Sequence, residues 1–332
     1  MSIQRKGVFI AWVEYQRRVE VLAPFLGLDI YYFSYAWETK SKIQKLFSYL
    51  LKSIQTLKCL FQSKPDLVLV QFPPAPALYC VAFYSWLTGA RYVSDCHLGI
   101  TNENWLKWAY VKKLLTRGQV IVHNTHLVEQ VKVDLQVTPF VLRDGVAKKQ
   151  SIHLGNTALL ERLGLSLQKY VIFPCSFSVD EPLQEMIEAA RLLPEIKFVM
   201  TWHSEKLPKQ MRETLPPNIV LTGFLQVDDY NCLFANSGLA LVLTKHEAVQ
   251  LSGMQEAMAF EIPAVVSDLN TTRFLYKDCP VYVKNNSQTI ADGIIYAFQN
   301  RLKLEETMKR LRVESEQEFL EQVTQLKWLL NQ

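Results

Sequence analysis

The feature that most restricts the fold is the alternation of short apolar runs with longer segments of helical composition. In the first half of the chain the apolar runs cover residues 8–12, 29–33, 67–71, 92–94, 120–123 and 140–142. In the second half they cover residues 171–174, 197–201, 219–221, 239–243, 264–266 and 281–283. Short buried strands that alternate with helices are typical of parallel sheets covered on both faces. Two such sets in tandem predict two Rossmann-like α/β domains that face a central cleft and bind ligands at their carboxyl strand ends.

The length of the chain agrees with two domains. Its 332 residues are many for one domain and sufficient for two, each with a core of its own. We predict an N-terminal Rossmann-like domain over residues 1–145, a polar linker region over 146–168 and a second Rossmann-like domain over 169–310. The last segment, 311–332, is predicted to be a C-terminal helix.

Composition and charge argue against several classes of protein. Apolar residues make up 49% of the chain and charged residues 20%, which indicates a globular rather than a disordered protein. The net charge of +4 is too small to indicate a nucleic-acid partner. The six cysteines lack the spacing of a disulfide framework or a metal site, which predicts reduced thiols and a cytoplasmic location. Prolines divide the uncharged stretch 67–90 into a strand and a helix of about fourteen residues, which is too short to span a bilayer. We expect no signal peptide before the first strand.

The most informative stretch lies between the apolar runs 239–243 and 264–266. Ser252 is placed to cap a short helix, because Gln255 follows three residues later as in a capping box. The backbone N–H groups of Gly253, Met254 and Gln255 are then expected to point away from the helix without partners. Such a helix start, directly after a parallel strand, predicts an anion site.

Charged side chains flank this helix. Glu247 lies on the preceding loop with Lys245, and Glu256 lies in the first turns of the helix. A cation, exposed amides and two carboxylates would suit a ligand with a diphosphate and several hydroxyl groups, such as a nucleotide sugar. The alternative interpretation is that Ser252 only caps the helix and Glu256 only complements its dipole.

These residues resemble a known family. The order of an acidic loop residue, small residues, Glu-Ala-Met-Ala from Glu256, then Pro263 and a valine-rich strand is similar to the donor motif of the retaining family-4 glycosyltransferases. Those enzymes have the GT-B fold, and two glutamates bracket their donor. Glu256 matches the glutamate that binds the ribose hydroxyls. Glu247 corresponds to the glutamate near the transferred sugar, with one residue more between the two, and Glu261 stands where the family usually has glycine.

The resemblance extends to other loops of the second domain. The loop after residue 174 is similar to the phosphate loop of the family, but it offers Ser176 where many members have arginine and lysine. The Thr-Gly-Phe sequence around Gly223 resembles the loop on the base side of the donor. The residues predicted to bind the donor are Glu256, Gly253, Ser252, Met254, Gln250, Lys245, Ser176 and Gly223.

The first domain is expected to bind the acceptor. Arg17 and Arg18 are candidates to clamp an acceptor phosphate, and the alternative is a solvated first turn of a helix, which fits Arg18 better than Arg17. Asp95, His97 and Gly99 follow the fourth strand and resemble the Asp-x-His strand end of a bacterial branch of the family. We assign acceptor binding to Arg17, Asp95 and Gly99, and the catalytic roles to Glu247 and His97. A hydrogen-bonded structural histidine remains the alternative for His97.

The resemblance implies a hexosyl transfer that retains the anomeric configuration. The donor is a nucleotide sugar, the acceptor is a saccharide or lipid-linked saccharide in polysaccharide or glycolipid biosynthesis, and no metal or other cofactor is expected. In this family the terminal helix crosses back to the first domain. The alternative is a non-catalytic GT-B-like protein that binds a nucleotide sugar or saccharide, or supports a partner transferase. A nicotinamide dehydrogenase is disfavoured because neither half contains the Gly-x-Gly-x-x-Gly fingerprint.

Two basic stretches predict contact with a membrane. Between residues 40 and 64 six lysines alternate with large apolar residues at helical spacing, and residues 105–117 add tryptophans to a second basic stretch. Such amphipathic helices lie on anionic lipid surfaces. The alternative is a helix whose apolar face packs on the sheet and whose lysine face is solvated. We therefore predict a cytoplasmic protein that is peripheral to the inner face of the plasma membrane.

Overall fold

The computed structural model describes residues 6–38, 41–96, 100, 103–146, 157–177, 179–201, 206–247 and 249–331. The chain divides into two compact units. The N-terminal unit comprises residues 1–145 and 318–332, and the C-terminal unit comprises residues 146–317.

The N-terminal unit is a parallel sheet with helices between its strands. Its described strands have the order β2-β1-β3-β4-β5-β6, and all pairs are parallel. The direction of strand order reverses between β1 and β3, and the crevice at such a switch point is where open α/β sheets bind ligands. The elements are β1 (Gly7–Ala11), α1 (Arg17–Leu26), β2 (Leu28–Tyr32), α2 (Lys42–Ser63), β3 (Leu67–Gln71), α3 (Ala75–Thr88), β4 (Arg91–Asp95), α4 (Glu103–Leu106), α5 (Val111–Arg117), β5 (Gln119–Val122), α6 (His126–Leu135) and β6 (Phe140–Val141).

The C-terminal unit repeats this design. Its described strands have the order β12-β11-β10-β7-β8-β9 and are again parallel, with the switch point between β7 and β10. The elements are α7 (Thr157–Arg162), β7 (Tyr170–Pro174), α8 (Leu183–Leu192), β8 (Lys197–Thr201), α9 (Lys209–Glu213), β9 (Ile219–Leu221), α10 (Val227–Ala235), β10 (Leu239–Val242), α11 (Ser252–Phe260), β11 (Ala264–Ser267), α12 (Asn270–Tyr276), β12 (Val281–Val283), α13 (Ser287–Gln299) and α14 (Arg301–Asn331).

The predicted fold class is confirmed. Each of the predicted apolar runs forms a strand among the described residues, with ends that differ by no more than one residue. The central strands are buried along most of their length, since helices cover both faces of each sheet. The described cysteines form no disulfide.

The terminal helix is longer than the predicted segment 311–332. Helix α14 begins at Arg301, because Leu304, Met308 and Leu311 already pack in the cores of the C-terminal unit. From residue 318 onward it belongs to the N-terminal unit, where Phe319 joins the core.

Helix α2 has an unusual orientation. Its inner face carries the buried polar side chains of Ser48, Lys52 and Thr56. Most of its large apolar side chains instead face solvent, and Ile43 is 82% exposed, whereas Leu60 is buried. The exposed apolar residues of α2 are Ile43, Leu46, Phe47, Leu50, Ile54 and Phe61. The interpretation that the apolar face packs on the sheet is therefore wrong for these six residues.

The second basic stretch, 105–117, is divided between two short helices, α4 and α5. Leu106, Val111 and Leu115 are buried, while Trp108 and Tyr110 are exposed. Among the described residues, no helix combines the length and the hydropathy that crossing a membrane requires.

Candidate functional site

The candidate site of the C-terminal unit lies at the carboxyl ends of β7 and β10. The loop after β7 and the loop after β10 are joined by a hydrogen bond, in which the backbone N–H of Lys245 donates to the carbonyl of Asp180 at 2.7 Å. Helix α11 follows the second of these loops. The switch point therefore brings together the two loops that the sequence assigned to the donor.

Helix α11 begins one residue earlier than a cap at Ser252 requires. Ser252 is the first helical residue, and Leu251 occupies the N-cap position. Leu251 is fixed there because its side chain is buried and its backbone N–H donates to the hydroxyl of Tyr276 at 3.1 Å. The N–H of Met254 donates to the carbonyl of Leu251 at 3.1 Å. The predicted cap at Ser252 and the predicted unpartnered amide of Met254 are therefore wrong.

Gly253 allows the first turn of α11 to approach the sheet closely. A Cβ atom at this position would lie 2.9 Å from Cγ of Pro174 and 3.0 Å from Cγ1 of Val242. Real Cβ atoms are not found so close to other atoms, so a larger residue would push the helix away from β7 and β10. Glycine here keeps the amino end of the helix over the strand ends.

Glu256 is a buried carboxylate on the second turn of α11. It is only 7% exposed, and its Oε2 accepts a hydrogen bond from the hydroxyl of Tyr230 at 3.0 Å. Tyr230 belongs to α10, so two helices fix the orientation of this carboxylate. The neighbouring Gln255 is also buried, and its Oε1 has no hydrogen-bond partner among the described residues. Buried polar groups of this kind are costly unless a partner satisfies them, and a ligand hydroxyl is such a partner.

Glu247 lies at the amino end of helix α12. Its Oε1 accepts the backbone N–H of Asn270 at 3.1 Å, and its Oε2 accepts the N–H of Thr271 at 3.0 Å. The carboxylate thus satisfies two of the amides that a helix leaves unpaired at its start. This contact holds the loop after β10 to the loop after β11.

In the loop after β7, a carboxylate accepts the hydrogen bonds that Ser176 was predicted to donate to a phosphate group. The backbone N–H and the hydroxyl of Ser176 both donate to Oε1 of Glu181, at 2.8 and 3.1 Å. The nearby thiol of Cys175 is buried, and burial together with Glu181 raises its pKa well above the ordinary value. Cys175 is therefore a protonated core residue rather than a nucleophile.

The remaining predicted donor residues lie on other loops of the C-terminal unit. Nζ of Lys245 lies 3.8 Å from Oε1 of Glu185 on α8, and the Lys245 side chain is partly exposed. Gln250 is half-buried in the loop before α11. Gly223 follows β9, two strands from β7, and its φ of 72° lies in the left-handed region that favours glycine. Arg273, a cation on the following helix α12, is paired with Asp268 at 2.5 Å.

The polar residues after β4 are organised differently from the prediction. Arg18 is buried rather than solvated, and it donates to Asp95 from Nε at 2.9 Å and from Nη2 at 3.0 Å. Its Nη1 also donates to Asp144 at 2.6 Å. Burial alone would lower the pKa of Arg18, but the two carboxylates outweigh it and raise the pKa. Asp95 is thus engaged in a buried ion pair that the sequence did not indicate.

The other predicted acceptor residues are less informative. Arg17 is half-buried on the first turn of α1. His97 and Gly99 lie outside the described residues.

Comparison with known proteins supports the architecture. No protein-family model and no curated protein sequence matches the chain. Anabaena HepE, solved with UDP-glucose, is similar over 98% of this chain and 99% of its own, with 16% identity and a TM-score of 0.72. Sucrose-phosphate synthase of Thermosynechococcus elongatus matches over 98% of each chain, with 12% identity and a TM-score of 0.66. MnaA of S. aureus, solved with UDP, matches over 98% of this chain and 97% of its own, with 13% identity and a TM-score of 0.63. The two parallel sheets and these likenesses together show that the chain has the two-domain GT-B fold.

Proposed function

We propose that the protein is a glycosyltransferase that moves a hexosyl group from a nucleotide sugar to a saccharide or lipid-linked saccharide, with retention of configuration. The observation that carries this proposal is the buried carboxylate of Glu256 over the switch point of the C-terminal unit. It is supported by the similarity to structures solved with UDP or UDP-glucose. The pathway is polysaccharide or glycolipid biosynthesis.

In the proposed donor complex, Glu256 accepts hydrogen bonds from two ribose hydroxyls. Tyr230 holds one carboxylate oxygen, so the side chain is oriented before the donor binds. Such pre-organisation reduces the entropy lost on binding. The neighbouring Gln255 supplies a further buried acceptor.

The diphosphate lies over the amino end of α11 and the loop after β7. Gly253 lets this helix end approach the strands, and the positive end of the helix dipole stabilises negative charge on the departing diphosphate. Lys245 contributes an ammonium group. The carboxylate of Glu181 accepts the hydrogen bonds of Ser176, so a phosphate oxygen that binds Ser176 must displace it.

Glu247 and His97 are the proposed residues at the reacting sugar. Glu247 faces the transferred sugar from the loop after β10, and the amides of Asn270 and Thr271 fix its position. His97 acts on the acceptor side. The proposal includes no metal ion and no cofactor besides the nucleotide sugar.

We also propose that helix α2 lies on an anionic membrane surface. The exposed apolar stripe from Ile43 to Ile54 enters the lipid interface, and exposed lysines such as Lys58 contact the lipid headgroups. Replacing Leu46 and Leu50 together by serine is expected to weaken binding to phosphatidylglycerol vesicles by at least about tenfold. The matched control replaces the exposed Val133 by serine. Equal sedimentation of the two variants with vesicles would contradict the proposal.

A second candidate is a protein that binds a nucleotide sugar without transferring it. Two contacts favour this candidate. Glu247 caps α12, and Glu181 already accepts the hydrogen bonds of Ser176. In this case the donor binds but no sugar is transferred.

The first test measures binding and hydrolysis of UDP-, GDP-, dTDP- and ADP-sugars by the wild type, Glu256→Gln and Glu213→Ala. Glu213 is an exposed carboxylate of the same unit and is the matched control. We expect one nucleotide sugar to bind the wild type and the control, and to bind Glu256→Gln at least about tenfold more weakly. Binding without hydrolysis or transfer would favour the second candidate. Absence of binding to the folded wild type would refute both.

A further inference from the structure

The N-terminal unit contains a cavity of about 700 Å³ that the sequence did not predict. It lies at the switch point of the sheet, since Trp12 follows β1 and Pro73 and Pro74 follow β3. The first three turns of α2 form another wall, and Trp105 completes the lining. A volume of this size accommodates a small molecule of several hundred daltons.

The lining of the cavity is basic. Lys42, Lys45 and Lys52 contribute ammonium groups, and among the described lining residues Glu38 is the matching carboxylate. Lys52 is only 2% exposed, and its Nζ lies 2.5 Å from Oε2 of Glu38 and 5.9 Å from the ring of Trp12. A buried ammonium group is costly unless it is paired, and this pair keeps it in the wall. Because Glu38 neutralises Lys52, Lys42 and Lys45 give the described lining a net positive charge.

The cavity also has an aromatic wall. The ring centroids of Trp12 and Tyr49 are 5.9 Å apart, and those of Tyr49 and Trp105 are 6.2 Å apart. The indole N–H of Trp12 donates to Thr56 at 3.0 Å, which fixes the ring. Rigid aromatic faces provide a large apolar contact area for a ligand ring at a low cost in conformational entropy.

From these observations we propose that the cavity binds a phosphorylated sugar, with the sugar ring against Trp12, Tyr49 and Trp105 and the phosphate at Lys42 and Lys45. The inference deepens the proposed function, because it assigns this ligand as the phosphate-linked end of a lipid-borne acceptor. The lipid source is favoured because Lys42 and Lys45 share helix α2 with the exposed apolar stripe. The assignment as acceptor rests on the proposed function, whereas the binding of a sugar phosphate does not.

The test is calorimetric titration of the full chain with glucose 1-phosphate. We expect Lys42→Ala/Lys45→Ala to weaken binding at least about tenfold, because charge-assisted contacts are lost. Lys6→Ala/Lys327→Ala removes two exposed lysines of the same unit outside the lining and is expected to leave binding unchanged. Equal affinity in both variants, or no binding to the wild type, would overturn the proposal.

Further titrations separate the parts of the ligand. Trp105→Ala is expected to weaken glucose 1-phosphate but not inorganic phosphate, because phosphate makes no ring contact. Competition by uridine would instead indicate a nucleoside site and would overturn the proposal. A polyprenyl-phosphate-linked glucose in detergent micelles should bind more tightly than glucose 1-phosphate, and its failure to bind would overturn the acceptor assignment. UDP binding, measured in the same variants, tests the proposed function separately, since Glu256 lies in the other unit.

Discussion

Replacing Asp95 by alanine is expected to destabilise the N-terminal unit by about 3–5 kcal/mol. The side chain of Asp95 is fully buried and accepts hydrogen bonds from Arg18 at 2.9 and 3.0 Å. In the variant, the guanidinium keeps its contact with Asp144 at 2.6 Å but loses those with Asp95. The cost is large because Arg18 is itself buried, so bulk water does not readily replace the lost carboxylate.

Urea unfolding followed by tryptophan fluorescence measures this loss, since six of the seven tryptophans belong to the N-terminal unit. Asp66→Ala removes an exposed carboxylate of the same unit and is expected to change stability by less than about 0.5 kcal/mol. The double variant Arg18→Met/Asp95→Ala should recover part of the loss, because the buried charge is gone. If Asp95→Ala were as stable as Asp66→Ala, the stabilising role of the ion pair would be refuted. The predicted role of Asp95 in acceptor binding would then be the remaining explanation for its position.

Three further variants test the C-terminal unit. Glu181→Gln should tighten UDP binding in a titration, because a neutral amide competes less well than a carboxylate for the Ser176 donors; weaker binding would contradict this. Gly253→Ala should lower the free energy of unfolding by about 1–3 kcal/mol through overpacking, and unchanged stability would argue against the close approach. The hydrogen bond from Arg273 lowers the pKa of Asp268, so Asp268→Asn should destabilise the protein at neutral pH. That difference should shrink as the pH falls below about 4, because Asp268 of the unfolded wild type takes up a proton there while the folded protein does so only at lower pH. A difference independent of pH would contradict this contribution of the ion pair.

The strands and their order in the chain could be predicted because their signal is local. A run such as 239–242 is apolar throughout, and a strand buried on both faces requires that pattern wherever it lies in the sheet. The helix start near Ser252 was placed within one residue for a similar reason. Its cap was misplaced because the anchor of Leu251 is Tyr276, which lies outside the local pattern.

The candidate site could be predicted from the sequence only in part. Glu256 could be found because its sequence context resembles a family motif. The partners of Glu247 and Ser176 could not be found in the same way, since a carboxylate near a helix start or a serine in a loop has many available partners. Only the folded loops show that Asn270, Thr271 and Glu181 are the ones used.

The sequence by itself determined two parallel α/β units and the basic amphipathic character of α2, because both depend on the spacing of side chains along the chain. Which face of α2 is buried was decided by the tertiary structure. In the folded unit Lys52 forms an ion pair with Glu38, and the indole N–H of Trp12 donates to the hydroxyl of Thr56. The same holds for Arg18, whose carboxylate partners lie 77 and 126 residues away along the chain. Such pairs depend on how distant strand ends meet, and periodicity carries no information about distant partners.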